Sequence, residues 1–312
     1  MVVERMLLSE LVKVIKPLPI DGRQDLEILN IANNSKNVKR DCLFFCISGY
    51  KRDGHLYVND AVKRGAVAVV SEKRLNIPIV QLIVENSRLA QAIGIQHFYN
   101  YPTSKFKLVG ITGTNGKTTV AFLTEAILQM AGYLTGLIGT VNYKIGEKVW
   151  PAGLTTPDTI ELGKMFQQLV EKKVQATVME VSSHALELHR VTGCDFDVTV
   201  FTNLTRDHFD FHGTMENYLQ CKSKLFANQR RWRKDPYKDC YAVVNLDDPH
   251  GRYISQIAQA PNILTYGINA NADVRVVGYE LRLNESLIKI KLNNRNYTFF
   301  CLYPDCITYI MQ

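Results

Sequence analysis

No apolar run in the 312 residues approaches the length needed to cross a bilayer, so a helical membrane span is not expected. Zinc spacing is missing as well. The seven cysteines, Cys42, Cys46, Cys194, Cys221, Cys240, Cys301 and Cys306, form no C-x-x-C pair, and their odd number argues against a disulfide framework. Reduced thiols in a cytoplasmic protein are the expectation. Nor does the first stretch read as an export signal. MVVERMLLSELVKVIK carries Glu4, Arg5, Glu10 and Lys13 within its apolar pattern and reads as an amphipathic helix. Apart from one short stretch, no arginine–lysine run or aromatic-interleaved patch suggests a nucleic-acid surface. The densest basic patch, RRWRKDPYK at 230–238, reads as a solvated loop. Repeats and low-complexity segments are absent. What remains is an ordinary globular composition, 46% hydrophobic and 21% charged, with a net charge of +7 that suits polyanionic small molecules.

The chain is organised around residues 105–131, KFKLVGITGTNGKTTVAFLTEAILQMA. Phe106, Leu108, Val109 and Ile111 predict a short strand. Val120, Leu123, Ile127 and Met130 recur at helical spacing, and Gly132 is placed to end that helix. Between them lies GTNGKTT. Gly113 and Gly116 permit a tight turn whose N–H groups face an anion, and the helix start adds partial positive charge. Lys117 adds a full charge, and the Thr118 hydroxyl is a ligand type that magnesium accepts. The residue five before Gly116 is Ile111, so the strict G-x-x-x-x-G-K-[ST] spacing is not met. Strand, glycine-rich turn and helix in this order still predict a cradle for nucleotide phosphate. The other reading, a turn that merely caps a helix, accounts for less of the pattern.

The length suits two domains. Residues 1–102 are expected to form a small α/β domain, with a helix over 1–16 ended by Pro17 and Pro19. Strands follow at 43–47, 66–70 and 77–84, helices at 56–64 and 87–99, and a linker around Pro102. Residues 103–312 continue the alternation with strands at 134–143, 176–182, 196–204 and 241–248, and helices at 158–174 and 214–228. This cadence predicts a mostly parallel, helix-covered sheet of P-loop type with ligands at the carboxyl ends of its strands. From 273 to 302, turn signals at Leu283-Asn284-Glu285-Ser286 and Asn293-Asn294 predict antiparallel hairpins. The fold class is therefore α/β.

Candidate site residues sit after the strands. In MEVSSHALELHRV, 179–191, Glu180 stands where an α/β nucleotide enzyme puts a magnesium ligand or a water-positioning carboxylate. A surface or capping carboxylate is the alternative, although a Glu within TVMEV needs a partner. Ser182, Ser183, His184 and Arg190 offer hydroxyls and a guanidinium to anionic groups, yet each alone equally suits a cap or a surface. In FTNLTRDHFDFHG, 201–213, Asn203 can bond phosphate or adenine. A neutral His208 can ligate a metal, its ring held by Asp207 or Asp210, but D-H-x-D alone does not decide this. Lys222 and Lys224 share a helix, a pattern that ordinarily means solvent. Asn245, Asp247 and Asp248 supply an adenosine or magnesium edge.

Taken in order, GITGTNGKTTV, LTTPD (154–158), MEVSSHALELHRV, TNLTRDHFDFHG, Y-x-x-x-K-x-x-x-F (Tyr218, Lys222, Phe226) and NLDD resemble the Mur ligase family, over nearly the whole chain. The stretch from Ser35 through CLFFCISGYKRDGHLYV resembles that family's uridine-nucleotide-binding domain. The resemblance implies UDP binding by 1–102 and ATP binding by 103–312. It implies an ATP-dependent ligase that adds diaminopimelate or L-lysine to UDP-N-acetylmuramoyl-L-alanyl-D-glutamate in peptidoglycan synthesis. Gly113, Thr114, Asn115, Gly116, Lys117, Thr118, Thr119 and Asn203 would hold ATP. Thr118 and Glu180 would take a first Mg²⁺ and His208 a second, with Lys222 carbamylated by CO2 to become a metal-binding anion. Ser35 would contact uridine, while Thr155, Thr156, Ser182 and Arg190 would hold the muramoyl-dipeptide. The implied chemistry is γ-phosphoryl transfer to a side-chain carboxylate, then attack of an amine on the acyl phosphate, with Lys117, Glu180, His208 and Lys222 as the catalytic set. A cytoplasmic monomer without nucleic-acid or membrane partners is expected.

Departures from the family pattern are local. Asn34-Ser35-Lys36 stands in place of D-S-R, and Asp41 in place of a glycine. YPDCITYIMQ stands where the family has G-x-F-N-x-x-N leading into a third, acceptor domain, so the expectation is a ligase chain cut after its second domain. The reading from another class is a non-catalytic module that binds the UDP-linked precursor, ATP or both.

Overall fold

The computed structural model describes residues 5–18, 23, 25–49, 52–281, 286–293 and 295–301. Pro19, the first four residues of the expected first helix, turn residues 283–285 and 294, and the YPDCITYIMQ stretch lie outside the described residues. The chain packs as two compact units, the first made of Met1–Pro102, Pro157–Gln168 and Leu188–Gly193, the second of Thr103–Thr156, Leu169–Glu187 and Cys194–Gln312.

In the first unit, Asn30–Ala32, Cys42–Phe45, Ala66–Ser71 and Val80–Ile83 form a parallel sheet in chain order. CLFF is buried at all four positions, as a parallel strand covered on both faces requires. Leu43 and Phe45 join Leu8, Leu11 and Ile95 on one side, and Cys42, Phe44 and Cys46 pack with Val58 on the other. The helix expected over 1–16 is shorter. Met6–Leu7 is a strand paired with Glu27–Ile28, and the helix runs Leu8–Ile15. The Glu10 carboxylate accepts the Leu7 N–H at 3.2 Å and so sets the start, while left-handed Lys16 ends the helix before Pro17. The expected 56–64 helix splits into a 3-10 turn, Gly54–Tyr57, and an α-helix, Val58–Lys63.

The second unit is built on one eleven-stranded sheet. Its parallel centre runs Thr135–Ile138, Ala176–Glu180, Lys107–Thr112, Val198–Phe201, Tyr241–Asn245, Asn262–Gly267 and Val274–Leu281. Antiparallel strands extend both ends. The stretch 134–143, expected as one strand, breaks at Gly139-Thr140 into Thr135–Ile138 and Asn142–Ile145, which pair as a hairpin with Lys148–Pro151 beyond. The expected hairpins near the other end are present as Val274–Leu281, Ser286–Leu292 and Arg295–Cys301.

Two readings change. The helix Lys117–Met130 forms, but Ile127 and Met130 are 66% and 90% exposed, and its fully buried residues are Ala121 and Glu125. An acid can sit on the inner face because its carboxylate takes the Thr135 hydroxyl at 2.5 Å and the Lys144 ammonium at 2.7 Å. Nor is the 230–238 patch only a solvated loop. The Arg233 side chain is buried, 3.1 Å from Asp195 and 3.5 Å from Asp197, and Lys238 lies 2.6 Å from Asp197.

Candidate active site

Strand register assembles the site. Glu180 pairs with Ile111 and Phe201 with Thr112, so the carboxyl ends of the three central strands emerge side by side. The 113–116 loop leaves the middle one. Gly113 has φ +149°, and a Cβ there would stand 1.9 Å from the Thr202 hydroxyl; Gly116, φ +80°, opens the Lys117–Met130 helix. The next strand's end holds the loop down. Asn203 accepts the Asn115 N–H at 2.9 Å through its side chain and the Thr114 N–H at 2.9 Å through its carbonyl. Its amide nitrogen and the Thr202 hydroxyl both donate to the Asn115 carbonyl, at 3.2 and 2.7 Å. Asn203 thus spends its amide on the loop, where the sequence reading gave it to phosphate or adenine.

Lys117 turns its ammonium back over the loop, donating to the carbonyls of Gly113 (3.0 Å) and Thr114 (2.8 Å). Burial lowers its pKa, partly countered by Glu180 and Asp207. Thr119 follows in the first helical turn, half-buried. Lys222, on the Met215–Ala227 helix capped by Thr214, donates to the same Gly113 carbonyl at 2.8 Å. Its side chain is inside the protein, 1% exposed, which overturns the solvent reading that two lysines on a helix invite. Burial, and then the charge of Lys117, push its pKa down to about 7. The Tyr218 ring lies 4.4 Å from that amine, its own hydroxyl pushed up to about 12 by burial. Lys224 instead points out to Glu187, 2.5 Å away.

Glu180 is completely buried. One oxygen accepts the Thr140 N–H at 2.9 Å; the other accepts the hydroxyls of Thr118 at 2.9 Å and Thr140 at 3.0 Å. Thr156 donates to the Glu180 carbonyl at 2.9 Å and accepts the Ser182 N–H at 3.0 Å, while the Ser182 hydroxyl caps the following turn by accepting from Ala185. Thr155 sits at the edge of this group, 3.1 Å from the Thr140 hydroxyl.

Family models match both units. The Mur ligase middle domain matches residues 111–302, and a second model, "Mur ligase family, catalytic domain", matches 27–96. The chain belongs to the Mur ligase family. It is 46% identical over 255 residues to the "UDP-N-acetylmuramoyl-L-alanyl-D-glutamate--2,6-diaminopimelate ligase" of Geobacillus thermodenitrificans, a match covering 82% of this chain and 52% of the relative. The ligase of the same name from Alkaliphilus oremlandii is 41% identical over 307 residues, 97% of this chain and 61% of its own length. A solved structure of a ligase with that name superposes with a TM-score of 0.78 at 26% identity, covering 94% of this chain and 59% of the other. The chain thus spans roughly half the length of the curated relatives it matches.

The remaining predicted residues of this Mur ligase fall into four groups. His208 is brought near the loop. Its ring is 5.1 Å from His184 and 6.3 Å from Tyr218, with a half-exposed Asp207 at 3.4 Å, so Asp207 is the acid beside it. Ser183 and His212 form a buried pair at 2.9 Å. Ser35 and Arg190 belong to the first unit. Ser35 is buried, its hydroxyl engaged with the Asp60 carboxylate, which it holds below the usual range; Arg190 is half-buried. The adenosine or magnesium edge is corrected for both acids. Asp247 accepts three backbone N–H groups, from Ile268, Asn269 and Ala270, and Asp248 accepts those of Leu204 and His250. Sequence reasoning missed Thr140, Thr202 and Thr205. Thr202 and Thr205 lie within the TNLTRDHFDFHG stretch, but only the strand register shows that they bond the loop, Thr205 through its N–H to the Thr114 hydroxyl at 3.0 Å; no motif marks Thr140, which bonds Glu180.

Proposed function

We propose that this Mur ligase chain serves the ATP-dependent joining of diaminopimelate to UDP-N-acetylmuramoyl-L-alanyl-D-glutamate, the reaction for which its relatives are named. The observation that carries the reading is the convergence of Lys117 and Lys222 on one loop carbonyl, beside the Thr118–Glu180 pair. The N–H groups of 113–118 and Lys117 hold the ATP phosphates. Thr118 and Glu180 offer hard oxygen atoms 2.9 Å apart in a buried setting, a donor set that fits magnesium; His208 and Lys222 would serve a second ion. Bound magnesium supplies charge neutralisation as the γ-phosphoryl group passes to the substrate carboxylate. The amine nitrogen then attacks the acyl carbon, a C–N bond forms, phosphate leaves with the C–O bond pair and the nitrogen gives up a proton to solvent.

Lys222 takes part as a carbamate in this reading. A pKa of about 7 leaves much of the amine neutral near neutral pH, so its lone pair attacks CO2, an N–C bond forms and the nitrogen loses a proton. Ser35 meets the uridine end of the precursor; Thr155, Thr156, Ser182 and Arg190 meet its muramoyl-dipeptide end. The chain is read as a cytoplasmic monomer; the free thiols Cys42, Cys46, Cys194, Cys221 and Cys240 are buried.

Calorimetry tests the loop. Lys117→Ala should weaken ATP binding tenfold or more, on the order of the loss of a charge-assisted contact. Mass spectrometry of a mixture with ATP, Mg²⁺ and the UDP-dipeptide should show ADP from the parent chain and none from the variant. Equal ATP affinity in the two proteins would refute the phosphate-site reading.

A further inference from the structure

The chain leaving the Thr135–Ile138 strand must pass Glu180, because Ile138 is registered against Met179. Thr140 is the residue it presents there. We propose that Thr140 is the positioning residue that aims the Glu180 carboxylate and ties it to the 154–156 loop; the proposal rests on the reading of Glu180 as a magnesium ligand.

The two oxygens of Glu180 are held by one neighbour. The Thr140 N–H donates to Oε1 at 2.9 Å and its hydroxyl to Oε2 at 3.0 Å. The last torsion of a Glu side chain is broad when free, and two donors from one residue fix it. A third donor, the Thr118 hydroxyl, meets the same Oε2. Since Glu180 is wholly buried, these donors also replace the water its charge would otherwise demand. Space is tight on the other flank. A Cβ on Gly139 would lie 2.4 Å from Oε1, so only glycine leaves the carboxylate where Thr140 holds it.

The Thr140 hydroxyl has a second acceptor. Besides Oε2 of Glu180 it is placed to donate to the Thr155 hydroxyl at 3.1 Å. Thr140 therefore bridges Glu180 and Thr155. The same hairpin anchors the loop beside Thr155, because the Leu154 N–H donates to the Tyr143 hydroxyl at 3.0 Å. Thr140 thus stands between the metal side of the site and the loop assigned to the muramoyl-dipeptide.

The test reads metal affinity. Mn²⁺ uptake by the whole chain is titrated by electron paramagnetic resonance with a non-hydrolysable ATP analogue present, and analogue affinity without metal is measured separately. Thr140→Val keeps the shape but removes the hydroxyl, and should weaken Mn²⁺ binding about tenfold, the low end for loss of a residue that orients a metal ligand. Thr140→Ser should come within about twofold of the parent, and metal-free analogue affinity should be the same in all three proteins. Gly139→Ala, checked for folding by circular dichroism, should reproduce the Val phenotype from the opposite flank. Val matching a Mn²⁺-binding parent, or Ser as weak as Val, overturns the inference alone. A parent that takes up no Mn²⁺ with the analogue overturns the reading of Glu180 and this inference with it.

Discussion

Lys222 carries a measurable signature whether or not catalysis is assayed. Its folded pKa, about 7, lies below the ordinary lysine value of 10.5, with burial the main cause. Between those two pH values the unfolded chain binds a proton that the folded chain does not, so stability rises with pH across that window. The expected result is that the unfolding free energy of the parent, relative to Lys222→Met, climbs from pH 7 toward pH 10. The slope should not exceed about 1.4 kcal/mol per pH unit. Urea titrations in bicarbonate-free buffer measure this, and a pH-independent difference would contradict it. The sequence pointed to Lys222 by its spacing from Tyr218, but its burial was not legible there. Helical periodicity puts Lys222 and Lys224 two positions apart, and only the packing against Tyr218 and Gly113 decides which one turns inward. Asn203 shows the same limit. Its position after a strand was readable, yet whether its amide meets a ligand or the loop's own backbone depends on a register that one sequence does not contain.

Among the elements, the strand–loop–helix at 107–130 was the most legible, because glycines, β-formers and helical spacing agree locally. The Thr135–Ile138 and Asn142–Ile145 hairpin was not, since the GT break between its halves carries none of the strong two-residue turn signals. The segment after the Met215–Ala227 helix misled for a different reason. Its basic residues look alike in sequence, but Asp195 and Asp197, more than thirty positions earlier, draw one of them inside. The pairs are close without being well-aligned hydrogen bonds: Arg233 Nε and the Oδ1 atoms of both acids have no hydrogen-bond partner among the described residues. Burial raises the Asp195 pKa while Arg233 opposes that rise. Removing the guanidinium leaves Asp195 buried without its cation, while Lys238 stays beside Asp197, so Arg233→Ala should cost about 3–5 kcal/mol at pH 7. The loss should shrink as the pH falls, because burial holds the Asp195 pKa above the usual carboxylate value. Arg231→Ala is the comparison: an exposed guanidinium over Trp232, worth less than about 1 kcal/mol. Equal destabilisation by the two changes, read from urea midpoints, would show that the buried network contributes nothing special.

For the whole molecule, the decisive question is whether the two units carry separate ligands, as the family reading requires. The 113–116 loop, Thr140, Glu180 and Asn203 all lie in the second unit, whereas Ser35 and the 3-10 turn that bears it lie in the first. Net charge cannot answer this, because an excess of +7 over the chain is compatible with anion sites in either unit. Hydrogen exchange can, since a ligand that binds only the folded form slows exchange through openings that destroy its site, by about 100-fold at a concentration 100 times its Kd. ATP analogue with Mg²⁺ should therefore slow amides at 112–118, 139–140, 180–183 and 202–205. The UDP-linked dipeptide should slow those at 34–38 and 52–58. The controls are Lys117→Ala, which should abolish the first pattern and leave the second, and UDP alone, which should protect 34–38. Protection of 34–38 by the ATP analogue, with no change at 112–118, would invert the assignment. The first unit would then be the nucleotide triphosphate site, and the glycine loop a turn that only caps its helix.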